Sequence, residues 1–503
     1  MDDLQDRKSE VKRFFKKLIS SKENYLLIGI LVFAFIIRLY FFLKTYNQAV
    51  WWDAADYLTA AKVLGKNLMI NYEWDPRRPF LMALLWGLIL KLGGTEVWLR
   101  VTELIFSMFA VYLTFLVGKE MYSKKVGLIA SFCLSVFWLH LFFTNRLLVE
   151  LPAMAFWLLT VLYFWKGYAK DKGTKYYYLF GLAFGLTLLT RGASALMFIP
   201  LLLFVFLKDQ LDFLWNKKLW VSVLIAIIVM TPFFLFIQFK YGGNAVSSYA
   251  GVSEGRFSQR MGLSGLLVYA KFFPTYLQTA FLVVFLIGLA FFLFNLLLSF
   301  DLIIRRKEKK LDADLFVFLW VLIPYLFFSI MVVHMEPRYL IYAFPGFFLI
   351  LARGFVEIEK ITNKYHKHLG LAIIVVLLLV GGYAQVQYAN QTIMAKATSY
   401  QEVKEAGLWI KENSESSDII ISHSVPQHMY YAERSVYMID FQDDFEEQIQ
   451  ELKPKYMVVS VFERSPEWFY QYPANHQDLL KPVKVYTQGD QPVLVIYEFQ
   501  WQS

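Results

Sequence analysis

The apolar run Tyr25–Leu43, YLLIGILVFAFIIRLYFFL, is followed by Trp51-Trp52-Asp53-Ala54-Ala55-Asp56-Tyr57. The run has about the length a helix needs to cross a hydrocarbon core of ~30 Å. Two acids beside two tryptophans then fall where bilayer meets water. Trp and Tyr favour that boundary because each has an apolar body and a polar tip. A carboxylate held there is half desolvated, which raises its pKa and suits it to proton transfer. The simpler reading, an aromatic belt with two solvated acids, stays open on the local sequence alone.

Composition narrows the class. Of 503 residues, 57% are hydrophobic and 18% aromatic, against roughly 45–50% apolar in soluble chains. The chain therefore needs a bilayer as part of its solvent. The lone cysteine, Cys133, lies in an apolar run and has no partner for an intramolecular disulfide. The net charge of +9 does not point to nucleic acid, because basic residues collect between apolar runs, as the positive-inside rule expects. The first run has the length of a span and lacks a small-residue cleavage site, so it reads as an anchor and not a signal peptide.

Arg7, Lys8, Lys12, Arg13, Lys16, Lys17 and Lys22 mark residues 1–23 as a cytoplasmic segment. Further apolar runs follow at 98–117, 126–143, 151–165, 176–189, 193–207, 219–239, 277–300, 315–333, 340–351 and 369–383. Basic clusters fall on alternate turns. The expectation is a polytopic α-helical membrane protein of about 11 spans over residues 24–388. Two long outer loops interrupt it, at 45–97 and 240–276. In the first, residues 55–64 and 80–92 read as two short amphipathic or apolar pieces, the second lying along the membrane surface. From 389 to 503 the composition changes, and four short strands alternate with helices over 400–412 and 444–452. That predicts a small C-terminal extracytoplasmic α/β domain. It contains no glycine-rich phosphate loop, zinc spacing or nucleophile elbow. A multi-pass protein of the plasma membrane results, with its N-terminus in the cytoplasm.

Arginines are scarce on the outer side, and Arg77, Arg78, Arg146, Arg191 and Arg338 all fall at its membrane edges. An arginine at membrane depth costs about 2.5–3.5 kcal/mol on insertion scales. One account is structural ion pairing or snorkelling. The other is an anion held at the membrane surface, since guanidinium matches phosphate with two parallel hydrogen bonds. Acids share that face: Asp53, Asp56, Glu73, Asp75, Glu150 and Glu336. Glu150 precedes Leu151-Pro152 at the start of a span, where an acid alone is often only dipole compensation. Together these groups describe a site for an anionic lipid headgroup with a carboxylate beside it.

The pattern resembles the GT-C membrane glycosyltransferases, in particular glycosyltransferase family 39, which includes the protein O-mannosyltransferases and the lipid A aminoarabinose transferase. Asp53-Ala54-Ala55-Asp56-Tyr57 resembles the family's first-loop Asp-Glu-x-x-Tyr, and Arg78-Pro79-Phe80-Leu81 its Pro-Pro-Leu. Arg146–Pro152 resembles its Arg…Asp-x-Pro stretch, Gly185–Gly192 its Gly-Leu…Thr-Lys-Gly, and His334–Tyr339 its late-loop Arg-Tyr. Ala54 stands where the family has Glu, Glu150 where it has Asp, and Arg191 where it has Lys.

The resemblance implies an enzyme that moves a hexosyl or pentosyl group from a polyprenyl-phosphate-linked donor to a hydroxyl of a protein, lipid or glycan acceptor, with inversion. It casts Asp53 as general base, with Asp56 and Glu150 in the catalytic group. Arg191, Arg338, His334, Arg146 and Tyr339 would hold the donor phosphate, and Tyr57, Arg77, Arg78 and Glu336 would line the substrate site. No cofactor or nucleic acid is expected; metal-independent transfer is the favoured reading, with a divalent metal near Glu150, Glu336 and His334 as the alternative. The reading requires Asp53 to face Arg191 and Arg338 across one pocket. The rival reading is a transporter or flippase of lipid-linked saccharides. Transporters more often place charged sites near the midplane, on broken helices and in repeated halves.

Overall fold

A computed structural model describes residues 22–242, 262–298, 311–332 and 336–501. Most of the basic N-terminal segment, much of the second long loop and His334 lie outside the described residues. The chain divides into two compact units. One contains residues up to Leu43, Glu103–Thr144 and Val149–Ile393; the other contains Lys44–Thr102, Asn145–Leu148 and the chain from Met394 onward.

The expected class is borne out: a helical membrane protein with a small C-terminal sheet. Among the described residues, seven helices are long and apolar enough to cross a membrane. The sequence count of about eleven also included runs 126–143, 151–165, 176–189 and 340–351, which form shorter or more polar helices. The run 126–143 is two helices, Lys124–Val136 and Trp138–Phe143, separated at Phe137, whose backbone is extended (φ −60°, ψ 117°). The break is tolerated because the freed Trp138 amide donates to Gln385 Oε1 at 3.0 Å, and Gln385 Nε2 donates to Tyr276 O at 2.8 Å. In hydrocarbon such a group needs a partner. The second long loop is also shorter than expected, because residues from Leu266 are already helical in Leu266–Leu298.

Helices in lipid gain little from hiding apolar surface from one another, so close backbone approach carries their packing. Helix Leu266–Leu298 meets helix Phe344–Thr362 through Gly288 and Gly354. A Cβ at Gly354 would sit 2.6 Å from Val284 O and 2.9 Å from Gly288 Cα. Within the same unit Arg38 is wholly buried. Its guanidinium donates to Ser107 Oγ at 2.7 Å and to the carbonyls of Ala34 and Ser135 at 3.0 Å, and lies 2.8 Å from His140 Nδ1. These bonds offset the cost of a cation inside the helical bundle.

In the other unit, helices Trp52–Lys66 and Leu81–Lys91 pack together. The C-terminal segment contributes α1 (Gln401–Glu412), β1 (Ile419–Ser422), α2 (Val425–Ala432), β2 (Ser435–Tyr437), α3 (Gln442–Leu452), β3 (Tyr456–Ser460), α4 (Glu467–Asn475), β4 (Leu480–Gln488) and β5 (Gln491–Phe499). The sheet order is β2-β1-β3-β5-β4, with β1 parallel to β2 and β3, and β5 antiparallel to β3 and β4. Ile420, Val458 and Ile496 face a core under α1 and α2; Ile421 and Met457 face a second core under α3 and α4. The four strands read from sequence are present. The fifth, β4, is an exposed edge strand carrying Lys481, Pro482 and Lys484, so it shows no apolar alternation.

This α/β segment is bonded to residues of the first long loop. Lys62 Nζ donates to Tyr430 O at 2.6 Å and pairs with Glu433 at 2.8 Å, and Val50 N donates to the Tyr431 hydroxyl at 2.8 Å.

Gly354→Val should force helix Phe344–Thr362 away from its neighbour, lowering stability by about 1–3 kcal/mol. Scanning fluorimetry of purified protein should show a lower unfolding midpoint; an unchanged midpoint would contradict the glycine contact.

Candidate functional site

The first acid cluster is built by the start of helix Trp52–Lys66 and by the turn at Asp75–Arg78. Asp53 and Asp56 are three residues apart, so they share one helix face. Arg78 reaches both. Its Nη2 lies 2.9 Å from Asp53 Oδ1, its Nη1 donates to Asp53 O at 3.1 Å, and its Nε lies 3.0 Å from Asp56 Oδ2. Asp75 Oδ2 is 3.4 Å from the same Nε, and Arg77 makes 2.7 Å bonds to both Asp75 oxygens. The Arg78 guanidinium also covers the Tyr57 ring, 4.9 Å from its centroid.

Three carboxylates share one guanidinium. Burial pushes the Asp56 carboxyl up to about 6, with Asp75 and Asp53 adding to the rise against the pull of Arg78 and a hydrogen bond from Tyr72. Burial also acts against the Arg78 charge, but Asp56, Asp53 and Asp75 outweigh it and hold the guanidinium protonated. Bidentate Arg77 keeps Asp75 below its usual value despite burial. Asp53 is the more exposed of the two helix acids, 33% against 19% for Asp56.

The second cluster belongs to the membrane unit. Glu150 is the first residue of helix Glu150–Phe164, and its side chain is 3% exposed. Arg191, where helix Thr174–Thr190 gives way to a 3₁₀ turn, places Nη1 3.3 Å from Glu150 Oε1. Arg338, in the 3₁₀ turn Pro337–Leu340, places Nη1 3.5 Å from the same oxygen and pairs through Nε with Glu336. The Tyr269 and Tyr276 hydroxyls donate to Glu336 O and Pro337 O at 3.2 and 3.4 Å, fixing that turn. Arg191 lies over the Tyr342 ring, whose hydroxyl is 2.8 Å from Ser194 Oγ. Tyr339 stacks on Phe328.

The residues singled out from sequence thus gather in two groups. Asp53, Asp56, Tyr57, Arg77 and Arg78 form one; Glu150, Arg191, Glu336, Arg338 and Tyr339 form the other. Arg146 does not join Arg191 and Arg338 in the second group: it belongs to the unit that contains Lys44–Thr102, and lies 3.7 Å over the Trp51 ring. Two participants were missed, Tyr72 and Glu103; Asp75, counted among the outer acids but given no role, joins Tyr72 in completing the Arg78 cluster. Glu103, fully buried and close to Glu150, has no hydrogen-bond partner for either carboxylate oxygen among the described residues. An acid inside the apolar run 98–117 is itself the signal that could have found it. Among the described residues no group of three or more His, Cys, Asp or Glu side chains could hold a metal ion.

Long apolar helices, a loop acid cluster near their start and a terminal α/β domain define an integral membrane protein. Its fold is similar to those of solved structures of ArnT and of an archaeal oligosaccharyltransferase. Over residues 77–236 the chain matches the family model described as dolichyl-phosphate-mannose-protein mannosyltransferase. Similar solved structures include ArnT from Cupriavidus metallidurans in the apo state, at 11% identity and a TM-score of 0.66 over 95% of this chain and 98% of that one. ArnT bound to undecaprenyl phosphate matches at 11% identity and a TM-score of 0.65, with the same coverage. The Archaeoglobus fulgidus oligosaccharyltransferase AglB, in complex with an inhibitory peptide and a dolichol-phosphate, matches at 13% identity and 0.61, over 95% of this chain and 74% of that one. No curated protein matches by sequence.

Because the Asp56 carboxyl titrates near 6 in the folded protein against about 4 when unfolded, the folded state holds the extra proton between those values. Its ionisation therefore removes stability as pH rises from 4 through 6. Asp56→Asn should stabilise the protein at pH 7.5 by about 1–2 kcal/mol and have little effect at pH 4. Unfolding midpoints at the two pH values check this, and a lower midpoint at pH 7.5 would show that the ion pair with Arg78 dominates.

Proposed function

We propose that the protein is a plasma-membrane glycosyltransferase. It moves a sugar from a polyprenyl-phosphate-linked donor to an acceptor hydroxyl at the extracytoplasmic face, with inversion at the anomeric carbon. The observation that carries this reading is the meeting of Arg191 and Arg338 on the buried Glu150. Two guanidiniums gathered at the end of a membrane helix suit a phosphate whose lipid tail lies in the bilayer. The match over residues 77–236 to a mannosyltransferase family supports it, as do similar folds that bind undecaprenyl phosphate and dolichol-phosphate.

In this mechanism Asp53 accepts the proton of the acceptor hydroxyl. The oxygen forms a bond to the anomeric carbon while the bond from that carbon to the phosphate oxygen breaks, and polyprenyl phosphate leaves with the electron pair. Charge grows on the phosphate as an oxocarbenium-like sugar forms. Arg191 and Arg338 stabilise that charge, and Glu150 positions both. Phosphate competes with Glu336 for Arg338. Asp56, with its carboxyl near 6, sets the acidic limb of the pH profile by controlling how firmly Arg78 holds Asp53.

General-base catalysis typically contributes about 10²–10⁴-fold. Asp53→Asn should lose turnover on that scale in membranes supplied with labelled lipid-linked sugar, while still binding donor; turnover at the normal rate would remove Asp53 from the chemistry.

Arg338→Ala should weaken donor binding by roughly 10–100-fold, the cost of one charged hydrogen bond. Unchanged affinity would contradict the phosphate role. Translocation of labelled donor without release of polyprenyl phosphate would favour the transporter instead.

A further inference from the structure

The Glu150 cluster sits at the start of helix Glu150–Phe164. A separate cavity of about 810 Å³ opens at the other end of that helix, wholly within the membrane unit. Helix ends make its walls: Tyr122 just past Glu96–Met121, Trp165 just past Glu150–Phe164, and Asn295 near the end of Leu266–Leu298, with Arg353 added from Phe344–Thr362. Helix Glu96–Met121 is one of the seven long apolar helices, and Glu103, close to Glu150, stands near its start. From Glu103 to Met121 that helix rises about 27 Å at ~1.5 Å per residue, nearly the ~30 Å of a hydrocarbon core. The cavity therefore belongs to the membrane face opposite the Glu150 cluster.

The chain is irregular where it borders this cavity. Trp165–Ala169 form a π-helix, closed by the Lys170 amide donating to Trp165 O at 3.0 Å. Such wide turns occur frequently at functional sites. This one brings Trp165, Ala169, Lys170 and Asp171 to the cavity wall. Trp165 is 4% exposed, and its indole N–H has no acceptor among the described residues. Buried donors are normally satisfied, so this one is available to a molecule in the cavity.

Charge at the wall decides the ligand. Each acid among the lining residues already has a partner. Asp312 pairs with Lys208 at 2.8 Å, Asp171 with Lys218 at 3.4 Å, and Asp314 takes a hydrogen bond from the Tyr122 hydroxyl. The lining cations are less fully used. Arg353 lies over the Tyr122 ring, 5.2 Å from its centroid, and its carboxylate partner among the described residues is Asp314, 3.6 Å away and beyond hydrogen-bond reach. Lys170 is 3.4 Å from Glu120 Oε2, an oxygen that Lys172 holds more closely at 2.7 Å. A guanidinium braced on a ring, an ammonium and an indole N–H are all donors, and together they suit an anion with several acceptor oxygens. Met121, Val126 and Val356 add apolar wall. The volume is in the range that holds a whole small molecule, and an inorganic phosphate would fill little of it.

We propose that this cavity binds the phosphate ester headgroup of a membrane lipid, held by Arg353, Lys170 and the Trp165 indole, with the first part of the lipid chain against Met121, Val126 and Val356. The site does not rest on the transferase reading, because it lies at the other membrane face and its occupancy is measured without turnover.

The test uses the full-length protein in dodecyl maltoside, a detergent without phosphate. Dioleoyl phosphatidylglycerol, dioleoylglycerol and glycerol 3-phosphate are added in separate arms at equal concentration. Hydrogen–deuterium exchange should slow in peptides covering 119–126 and 165–173 with phosphatidylglycerol alone. Arg353→Gln and Lys170→Gln should each raise the concentration needed for that protection about tenfold, and a loss in either one supports the site. Arg338→Ala should leave the protection in place. The three arms need no variant, and Lys170 is an exposed side chain whose replacement leaves folding intact. The inference fails if phosphatidylglycerol gives no protection, or if dioleoylglycerol protects equally, because the phosphate then contributes nothing. Equal protection by glycerol 3-phosphate would make the occupant a soluble phosphate and overturn the lipid assignment. Wild-type behaviour of both cavity variants also overturns it, as does loss of protection in Arg338→Ala, because the binding then belongs to the Glu150 cluster.

Discussion

Glu150 is the acid on which the membrane unit depends. One buried carboxylate oxygen is shared by Arg191 and Arg338, from well-separated stretches of that unit's sequence. Removing one partner of a buried ion pair leaves uncompensated charge and is strongly destabilising, by about 3–5 kcal/mol. The acid therefore fixes three things at once: where helix Glu150–Phe164 begins, where helix Thr174–Thr190 ends, and where the turn at residues 336–340 rests. The Tyr269 and Tyr276 hydroxyls hold the carbonyls of that turn, so Arg338 has little freedom to leave. The arrangement gathers positive charge at a helix terminus without burying it unpaired.

The Arg78 cluster answers the same problem with the signs exchanged. One guanidinium serves Asp53, Asp56 and Asp75, and Arg77 takes most of the demand of Asp75. Burial tells most on the helix acid Asp56, whose carboxyl rises to about 6. The more exposed acid, Asp53, stays accessible from solvent.

Much of this was legible because membranes impose strict sequence rules. Long apolar runs, basic clusters on alternate turns and charged residues at run ends all follow from the cost of placing charge in hydrocarbon. The same rule would have revealed Arg38 and Glu103, each inside an apolar run, had it been applied within the runs as well as at their edges. The strands with a buried face were readable from alternation, whereas β4 was not, since an edge strand with exposed residues carries no such pattern. The break at Phe137 left no local trace, because the amide it frees is satisfied by Gln385, hundreds of positions later.

By itself the sequence determined that this chain is a helical membrane protein with a terminal α/β segment, and which charged residues stand at the ends of its apolar runs. Those properties follow from local composition and spacing. Only the tertiary structure decided that Arg78 joins three acids, that Arg146 stacks on Trp51, and that Glu150 gathers Arg191 and Arg338. Pairing of buried charges depends on which chain segments meet in space, and no periodicity along the chain encodes that.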